Sequence, residues 1–445
     1  MPSPPAHVDP PQGDRAALRA GVHNWLVEHW NADLELVEWR RMLAAAGWAA
    51  PSWPAGVGGQ GLPAWADSIA AEEIAAIGAV GTPLGVGISL AGPTILVHGG
   101  DHVKHTFLLP ILTGEHTWCQ LFSEPGNGSD LAGLTTHAEL DGDEWVVNGQ
   151  KLWSTSAHHA DFGLLLARSD PSLPKHRGIS AFVLPMHQPG VEVRPLRQMN
   201  RHSSFNEVFL ADAVVPAANM IGNAGDGWRV AITTLAYERR FGAVRRVQYD
   251  PAAGRALEQA EAEAEDYFAT YRWYPQRAGR VDLVVGRAQA SGASTDPVVR
   301  QKIAAVLSMQ RAHQWTAQRF AAALARGAAP GATGSLGKLG LSNVARAAAA
   351  VHAAIAGAQA MLAGADGDPV VAEVLVSVPA QSIAGGTDEI QRNIIGEQLL
   401  GLPREPSVDR DIPFREIRRS AVAAAASNSR PSVSDQQVIR KSSAT

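Results

Sequence analysis

Three groups of residues have the chemical types and spacing of a site. The first is Ser123-Glu124-Pro125-Gly126-Asn127-Gly128-Ser129-Asp130, which follows a short apolar stretch at Trp118–Phe122. Gly126 and Gly128 let a ligand approach the backbone, and Ser123 and Ser129 can hydrogen-bond a phosphate or a ring edge. The run lacks the G-x-G-x-x-G spacing that opens a dinucleotide-binding helix, and taken alone it is equally a plain Gly/Ser turn. The second group is His98, His102 and His105, which share one helical face by spacing. Asp101 and Lys104 are interleaved and no carboxylate motif is nearby, so a solvated face is expected rather than a metal centre. His158-His159 reads as surface for the same reason. The third is Glu238, within Thr233-Thr234-Leu235-Ala236-Tyr237-Glu238-Arg239-Arg240. It is either a surface ion pair or a carboxylate base lining a pocket; periodicity favours the first without excluding the second.

Composition limits what can surround these groups. Of 445 residues only 18% are charged and 46% are hydrophobic, against a usual charged share of about 25%. That supports two or three domains with a sizeable core. A formal net charge of −5 leaves no basic footprint for nucleic acid. The single cysteine, Cys119, excludes an internal disulfide framework and a multi-cysteine metal cluster. The N-terminal residues Met1–Pro5 have neither the basic-then-apolar order of a secretory signal nor the Arg-rich helix of a transit peptide, so a cytoplasmic location is expected. Ile74–Gly100 carries no charged side chain, but its glycines and prolines fit two buried helices broken at Thr82-Pro83 better than a membrane span.

The elements that must position the candidate residues fall into three blocks. Residues 15–115 read as a helical domain. Residues 116–220 carry short alternating runs: Leu134–Leu140, Glu144–Val147, Lys151–Ser154, Phe162–Arg168, Ile179–Pro185 and Glu207–Leu210. Asp141-Gly142 and Asn148-Gly149 separate the first three as hairpin turns, because both dipeptides accept positive φ. Residues 222–405 return to helix, in segments at about Gly227–Val247, Ala252–Gln289, Asp296–Arg326, Ser335–Leu362 and Val370–Leu400. Ala-rich Arg346–Ala360 suggests closely packed helices, as in a bundle. Residues 406–445 read as a disordered tail. The fold class is therefore α+β: an N-terminal helical domain, a central β-barrel-like domain and a C-terminal four-helix-bundle domain.

Four separated motifs in order make the chain resemble the acyl-CoA dehydrogenase family, from about residue 35 to residue 406. They are His98-Gly99 through Leu109-Pro110-Ile111-Leu112-Thr113-Gly114-Glu115; Cys119-Gln120-Leu121-Phe122 through Ser129-Asp130; Val147-Asn148-Gly149-Gln150-Lys151-Leu152-Trp153-Ser154-Thr155; and Gly385-Gly386-Thr387-Asp388-Glu389-Ile390-Gln391-Arg392-Asn393-Ile394-Ile395. Phe205–Phe209, Val215-Pro216 and Ile221-Gly222 add a weaker fifth match.

The resemblance implies an FAD enzyme that desaturates an acyl-CoA thioester between Cα and Cβ, with electron-transferring flavoprotein as acceptor. Gln120, Phe122, Ser123, Gly128 and Ser129 match flavin-contacting positions. Trp153 and Thr155 match the residues beside the isoalloxazine ring, and Thr387 and Glu389 match positions near the adenosine. Many relatives place the catalytic Glu immediately before Gly-Thr in the fourth motif; here that position is Gly385, which still offers a backbone N–H to the thioester oxygen. Another branch carries its base in a Leu-x-x-Glu-Arg setting, matched by Leu235-Ala236-Tyr237-Glu238-Arg239. Glu238 is thus the expected base, and Arg239 is expected near substrate. The Arg-x-x-Phe-Gly motif of homotetramers is missing from Tyr271–Gln301, and Ala356-Gly357-Ala358 departs from the usual Gly-Gly. In this the chain resembles actinobacterial subunits that act with a second related chain on steroid side-chain thioesters, so a homo- or hetero-oligomer is expected. The competing expectations are an oxygen-using flavoprotein of the same fold and a non-catalytic partner subunit.

Overall fold

The computed structural model describes residues 12–238, 246–325, 332–362, 368–404, 406 and 409–417. The N-terminal helices are α1 (Gln12–His29), α2 (Leu36–Ala45), α3 (Trp65–Ala76), α4 (Gly92–His98) and α5 (Asp101–Thr113). The charge-free run supplies the end of α3, a loop, and the stretch from Gly87 through α4. Its first helix stops at Ala76, ahead of the expected break at Thr82-Pro83. Ile95 of α4 and Val103, Phe107, Leu108, Ile111 and Leu112 of α5 are buried in the core that meets the middle domain.

Eight strands follow: β1 (Trp118–Leu121), β2 (His137–Asp141), β3 (Glu144–Thr155), β4 (Phe162–Arg168), β5 (Ile179–Pro185), β6 (Val191–Leu196), β7 (Phe205–Pro216) and β8 (Met220–Ile221). They form one sheet in the order β6-β7-β3-β2-β4-β5-β8, with β1 parallel to β4. Side chains along a strand point alternately to opposite faces. Leu164 and Leu166 of β4 therefore enter the core shared with α4 and α5, whereas Leu165 and Ala167 enter a second core on the other face.

One sequence expectation changes here. Asp141-Gly142 does turn β2 into β3, but Asn148-Gly149 is not a turn. It is a bulge inside the continuous strand β3, where the register against β7 slips between Val147 and Gly149. Gly149 has φ +155°, and a Cβ there would meet Thr136 Oγ1 at 2.4 Å. The same backbone freedom serves a bulge as readily as a hairpin.

The C-terminal helices are α6 (Gly227–Glu238), α7 (Arg255–Thr270), α8 (Tyr274–Arg277), α9 (Val284–Ala290), α10 (Pro297–Ala325), α11 (Thr333–Ala356), α12 (Pro369–Gln381) and α13 (Asp388–Ile394). The expected single helix over 252–289 is three helices. Pro275 starts the single turn of α8, and Gly279 and Arg280 both adopt positive φ after it. The expected helix over 370–400 is split between α12 and α13 by Gly385 and Gly386. α7 leans on the N-terminal domain, where Arg40 of α2 makes a bidentate ion pair with Glu263 at 2.7 and 3.1 Å. The segment Thr333–Met361, which contains α11, is by length and composition alone apolar enough to cross a membrane. In the fold α11 packs on α10, α12 and α13.

Residues 409–417, which the sequence places in a disordered tail, lie on the middle domain. Phe414 N–H donates to Leu173 O and Arg415 N–H to Pro171 O. The Phe414 ring is buried under the Arg168 guanidinium, 3.4 Å from its centroid. Lys175 joins Asp409 at 2.8 Å and reaches Asp130 at 3.4 Å.

Candidate functional site

β1 ends in the Ser123–Asp130 turn, which closes by reciprocal backbone hydrogen bonds between Glu124 and Asn127, both 3.1 Å. The Glu124 side chain turns inward. It accepts from Thr135 N–H (2.7 Å), Thr135 Oγ1 (2.8 Å), Thr136 N–H (2.8 Å) and Lys151 Nζ (3.0 Å). Burial by itself would raise this carboxyl, but the Lys151 charge and the Thr135 and Thr136 hydrogen bonds outweigh it and hold Glu124 well below the carboxylate range. Lys151 Nζ also donates to Phe122 O at 3.1 Å, and Leu152 N–H to Ser123 O at 2.9 Å. The second and third motifs are thus fastened to each other. Phe122 is buried in the core beneath them, while Gly128 and Ser129 are exposed at the tip of the turn.

β3 slips register a second time between Lys151 and Ser154. At this bulge Trp153 adopts φ +62°, and Ser156 follows with φ +57°. Left-handed conformations cost non-glycine residues about 1–3 kcal/mol each and cluster where a side chain must be aimed. Trp153 stays 52% exposed, its ring edge-on to Phe205 at 5.5 Å. Thr155 pairs with Phe205 across the sheet. Among the described residues, the hydroxyls of Ser123, Ser129 and Thr155 enter none of the internal hydrogen bonds, and buried Ser154 Oγ has no partner. An uncovered indole beside unspent hydroxyls and a side-chain-free turn fits a flavin with its polyol and phosphates.

Glu238 is the last described residue of α6. Val230, Ala231 and Thr234 seat this helix, and its hydroxyls lock it to α4: Thr234 Oγ1 lies 3.0 Å from Thr94 Oγ1, and Thr233 Oγ1 lies 2.8 Å from His98 Nε2. His98 therefore departs from the solvated face expected for it; burial lowers its pKa. His102 and His105 remain exposed. His158 is exposed beside His159 and lies 3.1 Å from the Asn206 amide through Nδ1. Among the described residues no group of three or more His, Cys, Asp or Glu side chains is placed to hold a metal ion.

The Glu238 carboxylate meets β1. Gln120 Nε2 donates to its Oε2 at 3.5 Å, long enough to be a weak restraint. Burial raises the pKa of the Tyr274 phenol; Arg277 opposes the rise and the Glu238 charge adds to it. Arg239 lies outside the described residues.

The fourth motif is organised separately. Gly385 has φ +68° and an open flank where a Cβ would point. Its carbonyl accepts from Gln391 Nε2 at 2.9 Å, and among the described residues its amide N–H enters none of the internal hydrogen bonds. Thr387 caps α13 by accepting from Ile390 N–H at 3.3 Å. Asp388 is buried between Lys338 (3.1 Å) and Arg346 of α11. Glu389 is exposed, 3.4 Å from Arg392. Gln120, Ser123, Trp153, Thr155 and Glu238 are thus gathered around β1 and β3, and Thr387 and Glu389 are set against α11 and α13. Sequence reasoning passed over Glu124, Lys151, Tyr274 and Arg277. The first two stand inside the quoted motifs, where a charged pair in apolar surroundings was the available signal.

Sequence comparison agrees with this geometry. Models of the acyl-CoA dehydrogenase N-terminal, middle and C-terminal domains match residues 15–115, 119–213 and 281–400. The chain is 34% identical over 417 residues to acyl-CoA dehydrogenase IpdE1 of Mycobacterium tuberculosis, covering 88% of this chain and 99% of that one. It is 36% identical over 366 residues to acyl-CoA dehydrogenase FadE34 of the same organism, covering 81% of this chain and 46% of that protein. Among solved structures, the ChsE4-ChsE5 complex from M. tuberculosis is similar at a TM-score of 0.59 and 28% identity, over 90% of this chain and 99% of that one. An acyl-CoA dehydrogenase from Geobacillus kaustophilus shares the fold at a TM-score of 0.57 and 23% identity, over 88% of this chain and 100% of that one.

Proposed function

The chain belongs to the acyl-CoA dehydrogenase family, whose members are FAD-dependent, and from that premise we propose that it desaturates an acyl-CoA thioester to the 2-enoyl-CoA with Glu238 as base. The observation that supports the reading is the Gln120–Glu238 hydrogen bond, because it joins the carboxylate that matches a family base to a residue that matches a flavin-contacting position in the family.

FAD bound here would supply the acceptor for the Cβ hydride. Gln120, Ser123, Gly128 and Ser129 would bind it along the β1 turn, Trp153 and Thr155 would lie beside its ring, and Thr387 and Glu389 would hold its adenosine end. Glu238 takes the Cα proton, and the Gln120 amide keeps the carboxylate oriented toward it. The unspent Gly385 N–H donates to the thioester oxygen as negative charge develops there. Arg239 follows the base in sequence and helps order the substrate.

The chain works as an oligomer in the cytoplasm, with a related chain completing the flavin pocket and electron-transferring flavoprotein as acceptor. The missing Arg-x-x-Phe-Gly motif supports the mixed assembly, since the stretch that would carry it is here broken into α8, α9 and their connections. The similar ChsE4-ChsE5 structure is a complex. The test is anaerobic mixing with straight-chain, branched and ring-bearing acyl-CoAs, following loss of flavin absorbance. Glu238→Gln should slow bleaching by ~10²–10⁴-fold; unchanged bleaching removes Glu238 as base. Full FAD occupancy and turnover by the chain purified alone would remove the partner.

A further inference from the structure

Trp153 keeps a left-handed conformation, φ +62°, while half of its surface is exposed. Strain of that kind persists only where surrounding contacts over-determine it. One such contact leads away from β3. The indole meets the Phe205 ring edge-on, 5.5 Å between centroids and 89° between planes. Phe205 opens β7 and pairs with Thr155 across the sheet. The Phe205 ring meets in turn that of Trp273, at 6.2 Å and 74°. Edge-to-face rings with centroids within about 7 Å attract one another beyond the area they bury. Three rings thus run from a buried indole through Phe205 to the exposed indole of the site.

Trp273 belongs to the C-terminal domain, between α7 and α8, and is 1% exposed. A buried indole N–H needs a partner. Here Trp273 Nε1 donates to Ser204 Oγ at 3.1 Å, and Ser204 Oγ donates to Thr270 O at the end of α7 at 2.8 Å. One hydroxyl accepts and donates at once, so it fixes the ring both to its own helix and to the residue before Phe205. The rest of the β6–β7 connection rests on α12: His202 Nε2 lies 2.8 Å from Glu373 Oε1, and Asn200 Nδ2 donates to Ser377 Oγ at 3.1 Å. On the other side, buried Asn206 donates from Nδ2 to Ser154 O at 2.9 Å. The start of β7 is therefore tied to the C-terminal helices and to the bulge that presents Trp153.

We propose that Trp273 is a positioning residue for Trp153: anchored on Ser204, its indole backs Phe205, and Phe205 backs the indole beside the flavin ring. The inference rests on the assignment of Trp153 to the flavin site. An indole suits the task because it is large, rigid and carries a single N–H that fixes its orientation. A phenyl group at 273 is shorter and has no N–H, so it loses the anchor and withdraws from Phe205. Without that backing the bulge relaxes out of its left-handed conformation, and the Trp153 ring moves off the flavin.

The experiment uses the flavin-loaded full-length chain, with any partner it co-purifies with. Variants are Trp273→Leu, Trp273→Phe and Trp153→Ala, and each change at 273 combined with Trp153→Ala. Two quantities are read: the rate of FAD release, by recovery of flavin fluorescence after dilution, and the visible circular dichroism of the bound flavin. Trp273→Leu should speed release by about 2–10-fold, the worth of one ring pair, and shift the dichroism in the direction that Trp153→Ala shifts it. Combined with Trp153→Ala it should add nothing further, because the contact it supports is already gone. Effects that multiply in the combined variant overturn the proposal, since they show that Trp273 supports the fold without acting through Trp153. Wild-type release from a folded Trp273→Leu overturns it as well. If Trp273→Leu does not fold, Trp273→Phe decides by the same comparison: faster release that vanishes beside Trp153→Ala supports the proposal, and wild-type release or multiplying effects overturn it. Fast release from Trp153→Ala beside wild-type release from the 273 variants removes the positioning role alone. Wild-type release from Trp153→Ala removes Trp153 from the flavin site and this proposal with it.

Discussion

Lys151 Nζ lies 3.0 Å from Glu124 Oε1, with the two side chains 0% and 3% exposed. A buried ion pair adds little over an apolar pair of the same shape, but removing one partner strands the other charge. Its structural consequence is local. It fastens the bulge that presents Trp153 to the turn that carries Ser123 and Ser129.

Breaking that pair from one side should therefore cost stability and flavin together. Lys151→Met or Glu124→Gln is expected to lose about 3–5 kcal/mol in denaturant unfolding, with a lower flavin-to-protein absorbance ratio. The double variant should recover part of the stability, because it leaves no charge unpaired. Additive losses would show that the two side chains do not act as a unit.

The same carboxylate sets an acid limit. Its folded pKa is depressed from an ordinary 4.5 to about 2. A depressed carboxyl contributes stability that is present above its unfolded value and is lost as pH falls toward the folded one. Unfolding free energy should thus decline as pH drops below about 4.5, and the decline should be shallower in Glu124→Gln. Equal slopes in the two proteins would refute this account.

Gly385→Ala separates backbone conformation from loop packing. The position has room for a methyl group but holds φ +68°. Strain of about 1–2 kcal/mol is expected at that φ, and relaxing it turns the amide away. Bleaching should slow by at least ~10-fold while flavin content stays at wild-type level. A normal rate would show that the Gly385 N–H does not serve the thioester oxygen.

Trp153→Ala tests whether the exposed indole exists for the cofactor. The ring is half out of the protein, and it meets Phe205 edge-on. The apoprotein should lose only about 1 kcal/mol, whereas FAD release should accelerate, read by flavin fluorescence recovery. Unchanged release would remove Trp153 from the flavin site.

Phe414→Ala addresses the segment packed on the middle domain. Truncating a buried Phe costs about 3–5 kcal/mol in a full core; here one face of the ring rests on Arg168, so a loss near the lower figure is expected. Protease cleavage near residue 409 should appear in the variant and not in the parent. Equal cleavage of both would show that the ring does not hold the segment.

The sequence made some of this legible for plain reasons. β4 and β5 were readable to their ends because Phe162–Arg168 and Ile179–Pro185 are apolar runs of strand length bounded by turn residues. The sequence divides β3 into two strands because Asn148-Gly149 has the same local chemistry whether the chain reverses or bulges. What decides is Thr136, close in space and not in sequence. The helix over 252–289 was read as continuous although Pro275 sits where α8 begins, because Ala, Leu and Glu spacing on either side stays helical. Glu238 became a candidate through the order of motifs rather than its own pattern. Its hydrogen bond to Gln120 spans 118 positions, and no periodicity encodes such a contact. The Glu124–Lys151 and Ser204–Trp273 pairs are of that kind too.

The packing of Phe414 on Arg168 also imposes an order of events on synthesis. Arg168 and the carbonyls of Ala132 and Leu134 that it binds are made with the middle domain. Phe414 is made only after every helix from α6 to α13. Until it arrives, one face of the guanidinium is bare and Lys175 lacks Asp409, so the neighbouring turn is left partly tethered. A nascent middle domain can therefore fold its sheet early yet close over its own arginine only after the downstream helices have been translated.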